Sequence, residues 1–218
     1  MIPSVRAMIA GNSGSGKTTT AKNLYLSRFA RRLILDSTGE WEGSADIEAT
    51  TLDEAAAAIR MLAPRKQWTV TYSMLDGRFP ELVNWLVPVP YLDQSPARIV
   101  GGMVLLMDEV DVLAPFGPPP PHMRDLYRRS RHCGLSIVSC TQRPGAVSKE
   151  VPAQSTHRIA HFLDEPSDIA YIVDAMRWKG QPDLVAQWQG WTQRYPHGFA
   201  WRETQSGRLL WLRSSQIG

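Results

Sequence analysis

Near the start of the chain, Gly11-Asn12-Ser13-Gly14-Ser15-Gly16-Lys17-Thr18 follows the spacing GxxxxGK[ST], between an apolar run and a stretch with helical spacing. Each position has a chemical reason. Glycines let successive backbone N–H groups turn inward as an anion nest, and the helix that follows presents its positive end to the same point. Lys17 is then placed to reach β- and γ-phosphates and the Thr18 hydroxyl to ligate Mg²⁺, with Thr19 closing the run from Gly11 that would hold a nucleotide. ATP and Mg²⁺ are the expected ligands.

A second signal is Met103-Val104-Leu105-Leu106-Met107-Asp108-Glu109, an apolar strand ending in two carboxylates. A strand buried in an open parallel sheet delivers its C-terminal end to the ligand crevice. There Asp108 would hold Mg²⁺, directly or through water, and Glu109 would polarise an attacking water as general base. Glu109 therefore favours hydrolysis over phosphoryl transfer to a small acceptor. Asp111 has no comparable argument and reads as a surface or capping residue.

The third constellation is a further apolar strand, Leu135 to Cys140, followed by Thr141-Gln142-Arg143-Pro144. Gln142 can donate to a γ-phosphate and accept from the attacking water, as a sensor of hydrolysis, or it can serve a turn beside Pro144. Upstream, Arg124, Arg128 and Arg131 recur at i, i+4 and i+7, one helix face, while Arg129 can pair with Asp125. Two roles stand open for this row. One is an arginine finger, Arg131 or Arg128, reaching a neighbouring copy's γ-phosphate; the other is contact with a DNA backbone, for which Arg124, Arg128 and Lys149 are candidates. The five histidines lack metal-ligand spacing and read as surface or partly buried polar residues. The late tryptophans, Trp178, Trp188, Trp191, Trp201 and Trp211, read as hairpin-to-helix packing rather than base stacking.

Positioning these residues takes an α/β chain. Strand-like runs at Val5–Ala10, Leu33–Asp36, Trp68–Tyr72, Met103–Met107, Leu135–Cys140 and His157–Leu163 alternate with helical stretches, the pattern of a mainly parallel sheet flanked by helices. Helices are predicted from Lys17 to about Ala30, over Leu52–Leu62 behind a Thr51-x-x-Glu54 capping box, and over Glu81–Leu86, His122–His132 and Ser167–Met176. Gly198–Glu203 and Arg208–Arg213 flank a turn and predict an antiparallel hairpin, about residues 197–213, that extends or caps the sheet. Pro115 and Pro118–Pro121 predict an extended surface spacer outside any ladder. With no repeat or charge block in the sequence, residues 1–218 are expected to form one P-loop domain.

Composition narrows the classes. Of 218 residues, 43% are hydrophobic and 21% charged, which excludes a disordered, collagenous or coiled-coil chain. A net charge of only +3 means that a polyanionic partner must meet a local patch. Two cysteines, Cys133 and Cys140, make neither a disulfide framework nor a zinc set; they suit burial as small apolar residues in a reducing compartment. Ile99 to Met107 contains two glycines and runs into Asp108 and Glu109, so it is too short to span a bilayer and a soluble chain is expected. The apolar N-terminus reaches the glycine-rich turn within about ten residues, without room for a signal peptide, and residue 1 reads as the edge of the fold.

With these motifs in order, the chain resembles the FtsK/HerA superfamily of DNA-pumping P-loop ATPases. Leu35-Asp36-Ser37-Thr38-Gly39-Glu40-Trp41 is similar to the D-x-x-G-E-aromatic segment after the second strand of HerA-like members. Asp108 to Leu113 and Thr141 to Pro144 are similar to that superfamily's magnesium-strand and sensor-strand endings, and His157 to Phe162 resembles the strand that follows. The likeness runs from about Val5 to Met176. A bare motor of this size, with Arg131-His132-Cys133-Gly134-Leu135 before the sensor strand, looks like the genome-packaging ATPases of tailless, internally membraned viruses. That resemblance implies a ring, a hexamer, with Arg131 acting in trans. It also implies double-stranded DNA driven into a preformed capsid, a capsid or portal-vertex partner, and a place in the host-cell cytoplasm or on the virion. The four-proline run and the C-terminal hairpin depart from the family pattern. Alternatives are a FtsK/HerA-like ATPase for plasmid transfer or filamentous-phage export, a nonhydrolytic binding module, and a P-loop nucleoside or metabolite kinase, against which Glu109 and Gln142 stand.

Overall fold

Strands apolar along their whole length must be covered on both faces, and helices between consecutive strands supply that cover. The computed structural model describes residues 4–217, so the expectation that the fold begins at residue 1 lies outside the described residues. In chain order the elements are β1 (Arg6–Ala10), α1 (Lys17–Thr20), β2 (Arg31–Leu35), β3 (Ile47–Ala49), α2 (Leu52–Leu62), β4 (Trp68–Tyr72), α3 (Phe79–Leu86), α4 (Pro96–Ile99) and β5 (Met103–Met107). There follow α5 (Val110–Leu113), α6 (Pro121–Arg129), β6 (Leu135–Thr141), α7 (Glu150–Gln154), β7 (His157–Ala160), α8 (Pro166–Ala175), α9 (Pro182–Arg194), β8 (Gly198–Glu203) and β9 (Leu209–Arg213). The strands form a nine-stranded mixed sheet in the order β3-β4-β2-β5-β6-β1-β7-β8-β9, the predicted α/β class. β2 pairs in parallel with β4 and β5, and β1 with β7, whereas β8 and β9 pair antiparallel, so the C-terminal hairpin extends the sheet beyond β7.

The chain divides into two compact units. One comprises Leu26–Asp108, Pro120–Val138 and the start of the chain to Val5. Here β4 and β5 are buried along their whole length, and the predicted capping box is present: Thr51 Oγ1 accepts from Glu54 N at 3.3 Å while the Glu54 carboxylate accepts from Thr51 N at 3.1 Å. β2 begins at Arg31, two residues before the apolar pattern. Arg32 explains the difference. Its Nε donates to the carbonyls of Leu26 and Phe29 at 2.9 and 2.8 Å, so from inside a strand a charged residue satisfies carbonyls at and just after the 3₁₀ helix Leu26–Arg28. α6 stops at Arg129 and the chain continues as a 3₁₀ turn, Ser130–Cys133, closed by Gly134 at φ 70. That tighter winding takes Arg131 off the α-helical row predicted for Arg124, Arg128 and Arg131, while the Arg129–Asp125 pair forms at 3.1 Å.

The other unit comprises Arg6–Tyr25, Glu109–Pro119 and Ser139–Gly218. The helix predicted from Lys17 is α-helical only to Thr20 and continues as a π segment, Ala21–Tyr25. Pro115 is not outside the ladder: it forms an isolated antiparallel bridge with Val147, in which Ser148 N donates to Ala114 O, so proline's missing donor is not needed. In the first unit, Pro121 opens α6 at the first helical position, where a missing N–H costs nothing. α9 escapes the sequence pattern because, of its thirteen residues, only Trp188 and Thr192 are buried. The tryptophans pack as expected. Trp178 lies 5.8 Å from Trp188 and 6.1 Å from Trp211, and Trp188 Nε1 donates to Ala160 O at 3.0 Å.

Cys133 and Cys140 are buried and not joined in a disulfide, and no helix among the described residues is long and apolar enough to cross a membrane. Truncating the fully buried Trp188 removes the contact that fastens α9 to β7. Trp188→Ala is expected to lower unfolding stability by about 3–5 kcal/mol, read from urea melts, whereas Gln193→Ala, at an exposed position of the same helix, should stay within about 0.5 kcal/mol of the parent chain.

Candidate functional site

The phosphate loop is suspended between two neighbours. Gly11 N donates to Thr141 O at the end of β6 at 3.2 Å, and Asn12 N donates to Phe162 O just beyond β7 at 2.9 Å. Glycine is required at two places. A Cβ at Gly11 would stand 2.5 Å from His161 Cβ and 2.6 Å from Ser15 Oγ, and Gly16 holds φ 96, a conformation other residues rarely adopt. Lys17 is 8% exposed and its Nζ donates to Asn12 O at 2.9 Å, so the ammonium is held across the loop it would serve. Thr18 is half-buried and Thr19 exposed at the head of the helix.

The residues expected to act as sensor and base lie side by side. Gln142 Nε2 donates to Glu109 Oε1 at 3.1 Å, and Gln142 is the residue after Thr141, whose carbonyl holds Gly11. The Gln142 side chain is thus engaged with the Glu109 carboxylate. Asp111 is not the surface or capping residue expected: its Oδ1 accepts from Thr141 Oγ1 at 2.8 Å, and Thr141 Oγ1 accepts from Arg143 N at 3.0 Å, which ties α5 to the end of β6. A loop rim partner that sequence reasoning missed is Asp164, which accepts from Asn12 Nδ2 at 2.7 Å.

His161 corrects the reading of the histidines as surface or partly buried. It is fully buried behind Gly11, 4.9 Å from the Phe199 ring, with neither ring nitrogen in a well-formed hydrogen bond. Burial, then the Lys17 ammonium and His197, push it down to about 3; the nearby Ser15 backbone opposes this only in part. A neutral ring therefore backs a loop built for anions. The apolar run around it, His157 to Leu163, carried no signal for this role beyond a polar residue in a strand continuation.

Asp108 closes β5 and is buried. Its Oδ2 accepts from Trp41 Nε1 at 3.2 Å and from Thr38 Oγ1 at 3.5 Å. Both donors come from the segment after β2, which Asp36 folds by accepting from Gly39 N at 2.8 Å and Trp41 N at 3.0 Å. Trp41 is thus a positioning residue for the carboxylate, visible in the sequence only as an aromatic in a motif.

The basic candidates separate. Arg124 and Arg128 are exposed on α6. Lys149 Nζ pairs with Asp174 Oδ2 at 3.7 Å. Arg131 is exposed, donates from Nε to His132 Nε2 at 3.2 Å, and lines a cavity of about 440 Å³ with Arg31 and Arg98 at the N-terminal ends of β2, β5 and β6. It precedes β6, whereas Gln142 follows it.

No protein-family model matches the sequence, and no curated protein sequence matches it either. Solved structures do. The genome packaging NTPase B204 from Sulfolobus turreted icosahedral virus 2, in complex with AMPPCP, superposes with a TM-score of 0.72 at 19% identity, covering 97% of this chain and 98% of that one. The same protein with sulfate gives 0.73 at 19% identity, with 98% of each chain covered. B204, the DNA-packaging ATPase from Sulfolobus turreted icosahedral virus, gives 0.70 at 19% identity, again with 98% of each covered. The chain has the B204 fold. That likeness spans nearly its whole length, the C-terminal hairpin included, so the hairpin's departure from the sequence pattern is not a departure from this fold.

The buried His161 has a pH signature. Its ordinary value is 6.5 and its folded value about 3, so between these the unfolded chain binds a proton that the folded chain refuses, and stability falls as pH drops. Relative to His161→Phe, which has no such proton, the wild-type chain is expected to lose about 2–3 kcal/mol of unfolding stability between pH 7 and pH 4.5 in denaturant melts. Parallel pH profiles for the two chains would refute the assignment.

Proposed function

We propose that the chain is an ATP-hydrolysing motor of FtsK/HerA type that moves double-stranded DNA, a viral genome-packaging ATPase. One observation carries the hydrolytic part: the Glu109–Gln142 hydrogen bond stands next to the residue whose carbonyl anchors the phosphate loop. In this reading Gly11 to Thr19 wrap the phosphates and Lys17 neutralises the β- and γ-oxygens. Gln142 orients the attacking water and the γ-phosphate, and Glu109 takes the proton that the water gives up. The B204 structures, whose fold this chain has, are described as a genome packaging NTPase and a DNA-packaging ATPase, which supports the motor part.

Magnesium fits the residues proposed for it. Thr18 supplies a hydroxyl and Asp108 a carboxylate, both hard oxygen donors of the kind magnesium takes. When bound with the nucleotide, such an ion offsets charge on the phosphate oxygens. Trp41 and Thr38 hold the Asp108 carboxylate in one orientation for that role.

Ring assembly, as a hexamer, accounts for Arg131. Placed at the far end of β6 from its own Gln142, it suits the nucleotide of a neighbouring copy, which makes it rather than Arg128 the proposed finger. Arg124 and Arg128 on α6 are the proposed phosphate contacts for DNA; Lys149 joins them by exchanging an exposed ion pair with Asp174 that contributes about 1 kcal/mol or less. A capsid or portal-vertex protein would anchor the ring in the host-cell cytoplasm or on the virion.

Glu109→Gln keeps the loop and Lys17 intact and removes the proton acceptor. It is expected to bind ATP with wild-type affinity and to lose a factor on the order of 10² to 10⁴ in turnover, measured by phosphate release beside equilibrium nucleotide binding. Parent-rate hydrolysis would reject Glu109 as base. Double-stranded DNA of any sequence is expected to stimulate phosphate release by the assembled chain, and the stimulation to fall steeply between about 50 and 200 mM salt as counterion release loses its advantage. Fast turnover on a nucleoside acceptor without DNA stimulation at low salt would instead establish a kinase.

A further inference from the structure

Beside the phosphate loop lies a cavity of about 230 Å³ that the roles assigned so far do not use. One wall is the loop itself, Asn12 to Ser15; the other is the turn from α9 into β8, with Thr192, Pro196 and His197. The turn is fastened to the loop rather than merely near it. Ser214 donates to His197 O from both N and Oγ, at 3.1 and 3.2 Å, and Ser214 Oγ is 2.8 Å from Thr20 Oγ1 on the helix that the loop opens.

His197 is held in an unusual state. Its φ is 63, in the left-handed region that a non-glycine residue seldom occupies and that persists where surroundings impose it. The conformation seats the side chain against the last glycine of the loop: a Cβ on Gly16 would come within 2.9 Å of His197 Cβ and 3.0 Å of its Cγ. Yet the residue as a whole is exposed, so the imidazole has a packed root and an open face.

Apart from the His197 ring nitrogens, the hydrogen-bonding groups of the same wall at Thr192 and Gly198 are committed elsewhere. Thr192 Oγ1 donates to Trp188 O at 3.0 Å, Gly198 N donates to Tyr195 O at 2.8 Å, and Pro196 has no N–H. What the wall presents to a ligand is a flat proline and a flat imidazole. Flat apolar faces grip an aromatic ring by stacking and read little of its edge, because every nucleobase has a π-face.

Resting on the reading of Gly11 to Thr19 as a nucleoside triphosphate site, we propose that His197 and Pro196 form the nucleoside-side wall of that site. The His197 ring stacks on the base, and the wall takes purine nucleotides with little discrimination between adenine and guanine. The C-terminal hairpin thereby becomes part of nucleotide recognition through the Ser214 bridge.

Three probes test this on the full chain with magnesium present: ATP, GTP and inorganic tripolyphosphate, each by equilibrium titration. The wild-type chain is expected to bind ATP and GTP within about threefold of one another and more tightly than tripolyphosphate. His197→Asn keeps a residue that tolerates positive φ and removes the ring. It is expected to weaken ATP and GTP about tenfold while tripolyphosphate affinity and melting temperature stay at wild-type values. His197→Phe keeps a ring without nitrogens and is expected to restore nucleotide affinity. Unchanged ATP affinity in His197→Asn, an equal loss for tripolyphosphate, failure of His197→Phe to restore binding, or strong preference for one purine would each overturn the proposal. A wild-type chain that binds tripolyphosphate but gains nothing from the nucleoside refutes the wall alone; one that binds none of the three refutes the phosphate loop as well.

Discussion

Two backbone hydrogen bonds set the terms for the unit that carries the glycine-rich loop: Gly11 N to Thr141 O and Asn12 N to Phe162 O. A loop that turns its N–H groups inward has given up its own ladder partners, so its entry has to be held from outside. With β1 between β6 and β7 in the sheet, both neighbours reach past its end and do so. This explains why β7 stops at Ala160 although the apolar run continues to Leu163: its carbonyls are then bonding a loop and no longer a strand. The same arrangement decides where chemistry can be added. Whatever follows Thr141 is beside the loop, and Gln142 and, through it, Glu109 occupy that place.

Buried polar groups around this frame are handled in two opposite ways. Asp108 is buried but given donors, Trp41 and Thr38, and the segment that supplies them is itself folded around Asp36. A carboxylate so supported keeps hydrogen-bond partners at the end of an apolar strand, where a buried polar group without them is costly. His161 receives no well-formed hydrogen bond and is kept neutral by burial and by the positive charge of Lys17. A cation behind the loop would compete with Lys17 for the same anion; a neutral ring supplies bulk without charge, and Gly11 must be glycine to make room for it.

The C-terminal hairpin follows from the same constraint, seen from the other side of the loop. β8 covers the edge that β7 would otherwise expose, and its inward face supplies Phe199 against His161. Beyond β9, Ser214 reaches both Thr20 and His197. A segment distant in sequence from the phosphate loop is therefore bonded to its helix at Thr20 and, through His197, packed against its last glycine.

By itself the sequence determined the elements that carry strong local signals. The loop spacing, the apolar strands ending in Asp108 and at Gln142, the capping box at Thr51 and the hairpin turn each arise from residues within a few positions of one another, so local pattern was enough. It could not show α9, whose single buried tryptophan finds its partners on β7 and Trp178, nor the start of β2, where Arg32 caps a helix from within a strand. It misassigned Asp111 and His161, because a carboxylate and an imidazole look solvated until the elements that surround them are known. It placed Arg131 on a row that a 3₁₀ turn breaks. Backbone spacing is written locally and can be read locally. Which side chain meets which is fixed by strand order, and each parallel neighbour in the sheet arrives from a distant part of the chain.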